Sequence, residues 1–203
     1  MYNVYRSFPM VYEVDDPMEN LALTLYLNSR LHVKLKTMAT IVKALLCATL
    51  VFSTSGLYAQ TITSTILKDG DNKEVDLKTY AENGKITVLC FWATWCAPCK
   101  TELKTIAEDF YADWQDLYDV ELIAISIDDQ RNVERAKSYV AGEDWPFEVL
   151  YDRNSDTKRS LGWQTVPFTI VLDKNGEVAY KHTGYNAGDE YSLEEELARI
   201  AED

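Results

Sequence analysis

The feature that most constrains this chain is the motif Cys96-Ala97-Pro98-Cys99, placed directly after the apolar run Ile86 to Ala93. A continuous apolar run of this length is typical of a central strand covered on both faces. Pro98 suits the first turn of a helix, because the N–H it lacks would have had no helical partner. The chain is therefore expected to pass from strand to helix at Cys96. Unpaired N–H groups and the dipole at such a helix start stabilise a thiolate, the nucleophilic form of cysteine. Two intervening residues close a small ring, so a disulfide forms within the chain and still leaves one sulfur open to attack. The pair reads as a dithiol that cycles with a disulfide, with Cys96 as nucleophile and Cys99, one turn in, as the resolving thiol.

Two other uses of the cysteines compete with this one. A CxxC is half of a zinc site, but a closed tetrahedral site needs four ligands, and no second pair exists. The remaining soft ligands downstream are Cys90, inside the apolar run, and His182, far along the chain; no metal and no cofactor are assigned. A purely structural disulfide is the other rival, yet a bridge between positions this close constrains little unfolded chain and stabilises little.

Residues 38–59 follow the pattern of a secretory signal peptide: Met38 to Lys43 as a short cationic start, Ala44 to Phe52 as the apolar core, then Ser53-Thr54-Ser55-Gly56-Leu57-Tyr58-Ala59, in which Leu57 is larger than a cleavage site favours. The core is too short to span a bilayer as a stable helix. Cleavage is expected after Ala59, with Ser55 as the alternative, and Cys47 leaves with the leader. Residues 1–37 fit no element and read as an over-extended start or an unstructured tail, the alternative being a cytoplasmic tail on an N-terminal membrane anchor. Residues 60–203 then form one domain, exported or periplasmic and free of the membrane once the leader is removed. The full chain has a net charge of −13, and the first 59 residues hold five Lys or Arg against four Asp or Glu, so the acidic excess lies in the domain. That surface argues against nucleic acid and against docking on anionic membranes. An oxidising export compartment also suits a redox pair.

Along the domain, strand and helix patterns alternate as in an α/β fold. Ile62 to Leu67 and Val75 to Leu77 flank the turn at Asp69-Gly70-Asp71-Asn72 and predict a hairpin. Ile86 to Ala93 and Val120 to Ile127 predict buried strands. A helix is expected from Ala97 to Tyr118, burying Leu103, Ile106, Ala107, Phe110, Trp114 and Leu117. Asn132 to Ala141 predicts a second helix with Gly142 as its stop. A short strand, Phe147 to Tyr151, and a short helix, Asn154 to Leu161, follow. Phe168 to Leu172 and Glu177 to His182 predict an antiparallel hairpin about Lys174-Asn175-Gly176. A last helix is expected to start on the capping box Ser192 to Glu195 and to bury Leu193, Leu197 and Ile200.

The stretch Phe91-Trp92-Ala93-Thr94-Trp95-Cys96-Ala97-Pro98-Cys99-Lys100 resembles the active-site signature of the thioredoxin superfamily, and Glu102 is similar to the glutamate of its TlpA/ResA-type branch. Val166-Pro167-Phe168-Thr169-Ile170 resembles the family's cis-proline strand. The likeness covers roughly residues 61–202. It implies an α/β, thioredoxin-like three-layer fold: a central mixed sheet flanked by helices, with an N-terminal hairpin and an inserted strand and helix before the proline strand. It also implies a cis Val166–Pro167 bond beside Cys96, and a client-binding surface formed by Trp95, Ala97, Pro98, Val166 and Pro167.

Two positions depart from the family pattern. Thioredoxins carry a buried carboxylate six residues before the first cysteine of the motif, where this chain has Cys90. Glu102 is the nearest titratable substitute and is the expected proton acceptor for Cys99; otherwise it is a solvated charge favoured by the helix dipole. Lys104 stands where TlpA-type helices usually carry a kinking proline. The resemblance points to an exported thiol:disulfide oxidoreductase that reduces disulfide-containing client proteins, of the kind met in cytochrome c maturation, and that draws electrons from a membrane donor of the DsbD/CcdA type. A thiol peroxidase on the same fold and a non-enzymatic binding domain are the alternatives. Against the first, the residues before Cys96 lack the Pro-x-x-x-Thr-x-x-Cys setting; against the second, the cysteine pair is intact.

Overall fold

A computed structural model of the chain describes residues 61–202 without a break, together with six separate positions upstream: Leu25, Tyr26, Asn28, Arg30, Met38 and Lys43. The chain divides into two units, Met1–Leu57 and Tyr58–Asp203, and the fold concerns the second. The signal-peptide assignment to 38–59 and the reading of 1–37 lie outside the continuous described residues.

Seven strands build one mixed sheet: β1 Ile66–Lys68, β2 Glu74–Asp76, β3 Ile86–Trp92, β4 Val120–Ser126, β5 Glu148–Tyr151, β6 Phe168–Leu172 and β7 Val178–Thr183, in the spatial order β2-β1-β5-β4-β3-β6-β7. β3 pairs in parallel with β4, and β4 with β5. β6 lies antiparallel to β3 on its other side, and β7 antiparallel to β6. Every residue of β3 and of β6 is buried, Thr87 and Thr169 included, as suits predominantly apolar central strands, whereas β7 alternates half-buried and exposed positions as an edge strand does. The helices are α1 Lys78–Ala81, α2 Ala97–Thr105, α3 Tyr111–Tyr118, α4 Val133–Glu143, α5 Asp156–Leu161 and α6 Asp189–Glu202. The hairpin between β6 and β7 turns at Gly176, which has φ +77° and whose missing Cβ would sit 2.1 Å from the Ala81 carbonyl oxygen. Only glycine satisfies both the left-handed backbone and that close approach.

Three sequence expectations are corrected. The helix expected over 97–118 is α-helical only at its ends, because Ile106–Phe110 forms a wide π turn closed by the Tyr111 N–H on the Ile106 carbonyl. A π turn holds one extra residue, so the inward face slips by one position beyond it. Tyr111 therefore packs into the core, Trp114 lies inside as expected, and Leu117, expected inside, is 65% exposed. The second correction concerns α4, which runs through Gly142 and stops at Asp144 in the left-handed conformation, one that Asp tolerates better than most side chains. The third concerns α6, which begins at Asp189, three residues before the expected Ser192. There the Asp189 Oδ2 accepts the Asn186 N–H (2.7 Å) and the Glu190 Oε2 accepts the Gly188 N–H (2.8 Å), so acidic side chains reach back over the helix start in place of a serine cap.

Candidate active site

β3 delivers the chain to Cys96, which caps α2. Cys96 has an extended backbone, its own N–H bonds to the Ala93 carbonyl (3.0 Å), and the Cys99 N–H donates to Cys96 Sγ (3.3 Å). The side chain that occupies the place of a capping oxygen is thus a sulfur, and a free N–H of the first turn points at it. This arrangement stabilises negative charge on Cys96 when the pair is reduced. Cys96 and Cys99 are joined by a disulfide with their Cα atoms 5.4 Å apart. Cys96 keeps 5% exposure and Cys99 none, so the cap sulfur is the one nearer solvent.

The loop before the cap is held from below by Asp128, a buried carboxylate just past the end of β4. It accepts the Thr94 N–H (2.9 Å), the Thr94 hydroxyl (2.7 Å) and the Ser126 hydroxyl (3.0 Å). Three donors on one carboxylate hold it in place without a counter-ion. They also fix Thr94 two residues before the reactive sulfur. The Ile127 N–H on the Trp92 carbonyl (2.9 Å) continues the β3–β4 pairing to the same level.

Sheet register sets the inner part of the site. Cys90 is paired with Thr169, and Thr169 with His182, so β3, β6 and β7 contribute one row of side chains to one face of the sheet. Glu102, on the second turn of α2, comes down onto that row, and the Thr169 hydroxyl donates to its Oε1 (3.2 Å) while lying 3.8 Å from Cys90 Sγ. At 6% exposure Glu102 is not the solvated charge that a helix start would favour. Burial pushes its carboxyl up to about 8, the Thr169 hydroxyl opposes that rise, and the charges of Glu190 and Asp189 add to it. Burial likewise pushes the Cys90 thiol up, with Glu102 adding to the effect, so Cys90 stays a neutral thiol.

Of the expected client-binding residues, Trp95 is 66% exposed beside the disulfide, and Ala97 and Pro98 are exposed on the first turn. Val166 and Pro167 are buried, joined by a cis peptide bond. Among the described residues no group of three or more His, Cys, Asp or Glu side chains is placed to hold a metal ion, and no helix is long and apolar enough to cross a membrane.

The AhpC/TSA family pattern matches residues 59–181, more than half of the chain. The chain belongs to the AhpC/TSA family. Among curated relatives, the thiol-disulfide oxidoreductase ResA of Oceanobacillus iheyensis is 34% identical over 110 residues, 53% of this chain and 55% of the relative. The thiol-disulfide oxidoreductase ResA of Bacillus thuringiensis is 30% identical over 135 residues, 66% of this chain and 73% of the relative. The chain thus spans little more than half the length of the first of these. A thioredoxin-like protein from Porphyromonas gingivalis, solved in solution, is 39% identical with a TM-score of 0.62, covering 71% of this chain and 94% of that one. StoA from Bacillus subtilis, at 20% identity and a TM-score of 0.53 over 66% of this chain and 98% of that one, shares the fold.

These curated relatives are named thiol-disulfide oxidoreductases, and this AhpC/TSA chain carries a Cys96–Cys99 pair at disulfide distance. Within this member of the family, sequence reading missed Asp128, Thr169 and Glu190. Asp128 gives no local signal, since its partner Thr94 is 34 residues away. Thr169 was legible only as part of the proline strand. Glu190 is an acidic residue in an acidic stretch, and only its 4% exposure marks it out.

Proposed function

We propose that the chain is an exported thiol:disulfide oxidoreductase that reduces the disulfides of client proteins through Cys96 and Cys99. The observation that supports this reading most is the capping of α2 by Cys96 Sγ, with the Cys99 N–H directed at it. In the reduced protein the Cys96 thiolate attacks a client disulfide, a Cys96–client bond forms, and the first client sulfur leaves as a thiolate that takes a proton from solvent. Cys99 then gives its proton to the Glu102 carboxylate and attacks Cys96 Sγ. The Cys96–client bond breaks, the second client thiolate leaves, and the Cys96–Cys99 disulfide is restored. Two electrons have passed to the client.

A reductive direction is supported by the Ala97-Pro98 pair, which brings no second cation to stabilise the Cys96 thiolate further, and a less stabilised thiolate makes a better reductant. Disulfide-containing apocytochromes fit as clients by the likeness to ResA, and a membrane donor of the DsbD/CcdA type fits as the source of electrons. Trapping tests the reading: Cys99→Ser protein, exported in its host, is expected to collect clients as mixed disulfides at Cys96. Recovery of no such adduct, together with rapid turnover of peroxide by the reduced wild type, would assign the pair to peroxidase chemistry instead.

A further inference from the structure

Glu102 must release the proton it takes, yet it is buried and a docked client covers the Cys96 end of its helix. The structure offers a second opening. A small cleft with room for about one water reaches Glu102 from the side of α6 and β7, walled by Thr169, Tyr180, His182, Tyr185, Glu190 and Leu193. None of Trp95, Cys96, Cys99 or Pro167 lines it. The row that begins at Cys90 in the sheet thus ends, through Thr169 and His182, at a wall of this cleft.

The carboxylate of Glu190 is held at both oxygens: the Tyr185 hydroxyl donates to Oε1 and the Gly188 N–H to Oε2 (2.8 Å). Two donors thus fix the Glu190 carboxylate in place at the first turn of α6. Asp189, next to it, accepts the Asn186 N–H (2.7 Å) and lies 3.4 Å from His182 Nε2, with Tyr180 stacked on the His182 ring. The groups that face Glu102 are therefore Cys90 from β3, Thr169 from β6, Tyr180 and His182 from β7, Tyr185 from the following loop, and Asp189 and Glu190 from α6. Both α6 carboxylates favour a proton on Glu102, and Glu190, fixed at two points, cannot swing away.

We propose that this cleft is the proton port of the resolving step, through which Glu102 exchanges its proton with solvent behind the docked client, and that Glu190 is the positioning residue whose fixed charge holds that proton on Glu102 until it leaves. The proposal rests on the reading of Glu102 as proton acceptor for Cys99. In each cycle the carboxylate becomes a carboxylic acid as Cys99 attacks, then returns to carboxylate as a water in the cleft carries the proton out. Sulfur exchange and proton exchange thereby use different surfaces, and a bound client need not leave for the acid to be reset.

Two measurements test it on the full chain. The first is the decay of the mixed disulfide with insulin B chain against pH, for wild type, Glu102→Gln, Glu190→Gln and Glu190→Asp. Glu190→Gln is expected to move the midpoint to lower pH by about half a unit or more, a roughly threefold change in proton affinity, and Glu190→Asp to restore most of it. The second is hydrogen–deuterium exchange of the Glu102 carboxyl band in the infrared, assigned by its loss in Glu102→Gln, in Cys99→Ser protein with and without insulin B chain joined to Cys96. The band is expected to exchange equally fast in both. Wild-type decay in Glu102→Gln overturns the acceptor role itself and the port with it. Slowed decay in Glu102→Gln with an unmoved Glu190→Gln midpoint leaves the acceptor standing and removes Glu190. Exchange that stops when the B chain is attached overturns the port, and that measurement keeps Glu190 in place should Glu190→Gln fail to fold.

Discussion

The two sides of α2 differ in almost every physical respect. At its N-terminal end Trp95, Ala97 and Pro98 are exposed, the chemistry is that of sulfur, and the Cys99 N–H is directed at Cys96 Sγ. On its inner side Glu102 is enclosed by Thr169, Tyr185 and Glu190, the chemistry is that of protons, and carboxylates dominate. A carboxylate beside Cys96 would oppose the thiolate that the helix start stabilises. A carboxyl one turn past Cys99, on the buried face of the helix and pushed up to about 8 by burial, is set apart from that thiolate and titrates close enough to the working pH both to take a proton and to release it. The contrast teaches that one short helix carries a nucleophile and a base of opposite electrostatic needs by giving one to its cap and the other to its buried face.

The largest effects should come from the cap. Cys96→Ser is expected to abolish reduction of insulin by the dithiol, while Cys99→Ser keeps a single attack and accumulates adducts; an inert Cys96 and an alkylation-sensitive Cys99 in the reduced protein would reverse the two roles. Glu102→Gln is next, with resolution of the mixed disulfide expected to slow by about 10²–10⁴-fold in rapid-quench measurements, as for loss of a general base, and the first attack to change much less. Equal slowing of both steps would erase the distinction between the two sides.

Stability against pH probes the buried side without turnover. Because the Glu102 carboxyl is raised from 4.5 to about 8, the folded state binds more protons than the unfolded state between those values. Its contribution should therefore be complete below pH 4.5, fall by up to about 1.36 kcal/mol per pH unit as pH rises to 8, and stay level above. Denaturant midpoints of wild type and Glu102→Gln should diverge with that sign, the variant gaining on the wild type as pH rises. Asp128→Ala leaves the Thr94 and Ser126 donors buried and unpaired, and should destabilise the fold by about 1–3 kcal/mol in urea titrations. The smallest effect on folding belongs to Trp95→Ala, within about 0.5 kcal/mol for so exposed a side chain. A weaker client Michaelis constant at unchanged stability would place Trp95 in docking, and an unchanged one would leave it a bystander.

Sequence pattern carried the strands well because β3, β4 and β6 are mostly apolar, broken only by Thr87, Glu121, Ser126 and Thr169, and sit at the middle of the sheet. Helix α2 was legible at its start for a chemical reason, since proline and cysteine there have few alternative uses. Beyond Thr105 the period of 3.6 assumed a uniform helix, and the π turn broke that assumption with no proline or glycine to announce it, which is why Leu117 was placed inside and Tyr111 overlooked. Helix ends at Asp144 and Asp189 were misplaced because acidic side chains took parts usually played by glycine and serine. In the site, the cysteines and Glu102 stood out by type. Thr169, Asp128 and Glu190 acquire meaning only from register and burial, which bring them to partners tens of residues away or set them over a cleft.

Cys90 gives the molecule a built-in reporter. Its thiol is buried in the central strand, it is the free cysteine among the described residues, and burial keeps it neutral and therefore a poor nucleophile. While Cys96 and Cys99 are tied together, an alkylating reagent can reach Cys90 only when the packing over β3 opens, whether by lifting of α2 with Glu102 from that face or by parting of the strands. The rate at which the peptide containing Cys90 gains mass then measures how often that packing opens, with no dye and no engineered label. Peptide mapping keeps that signal apart from Cys47. Repeated with the disulfide reduced, the same reading tells how far a bond at the surface of α2 steadies a strand in the middle of the domain.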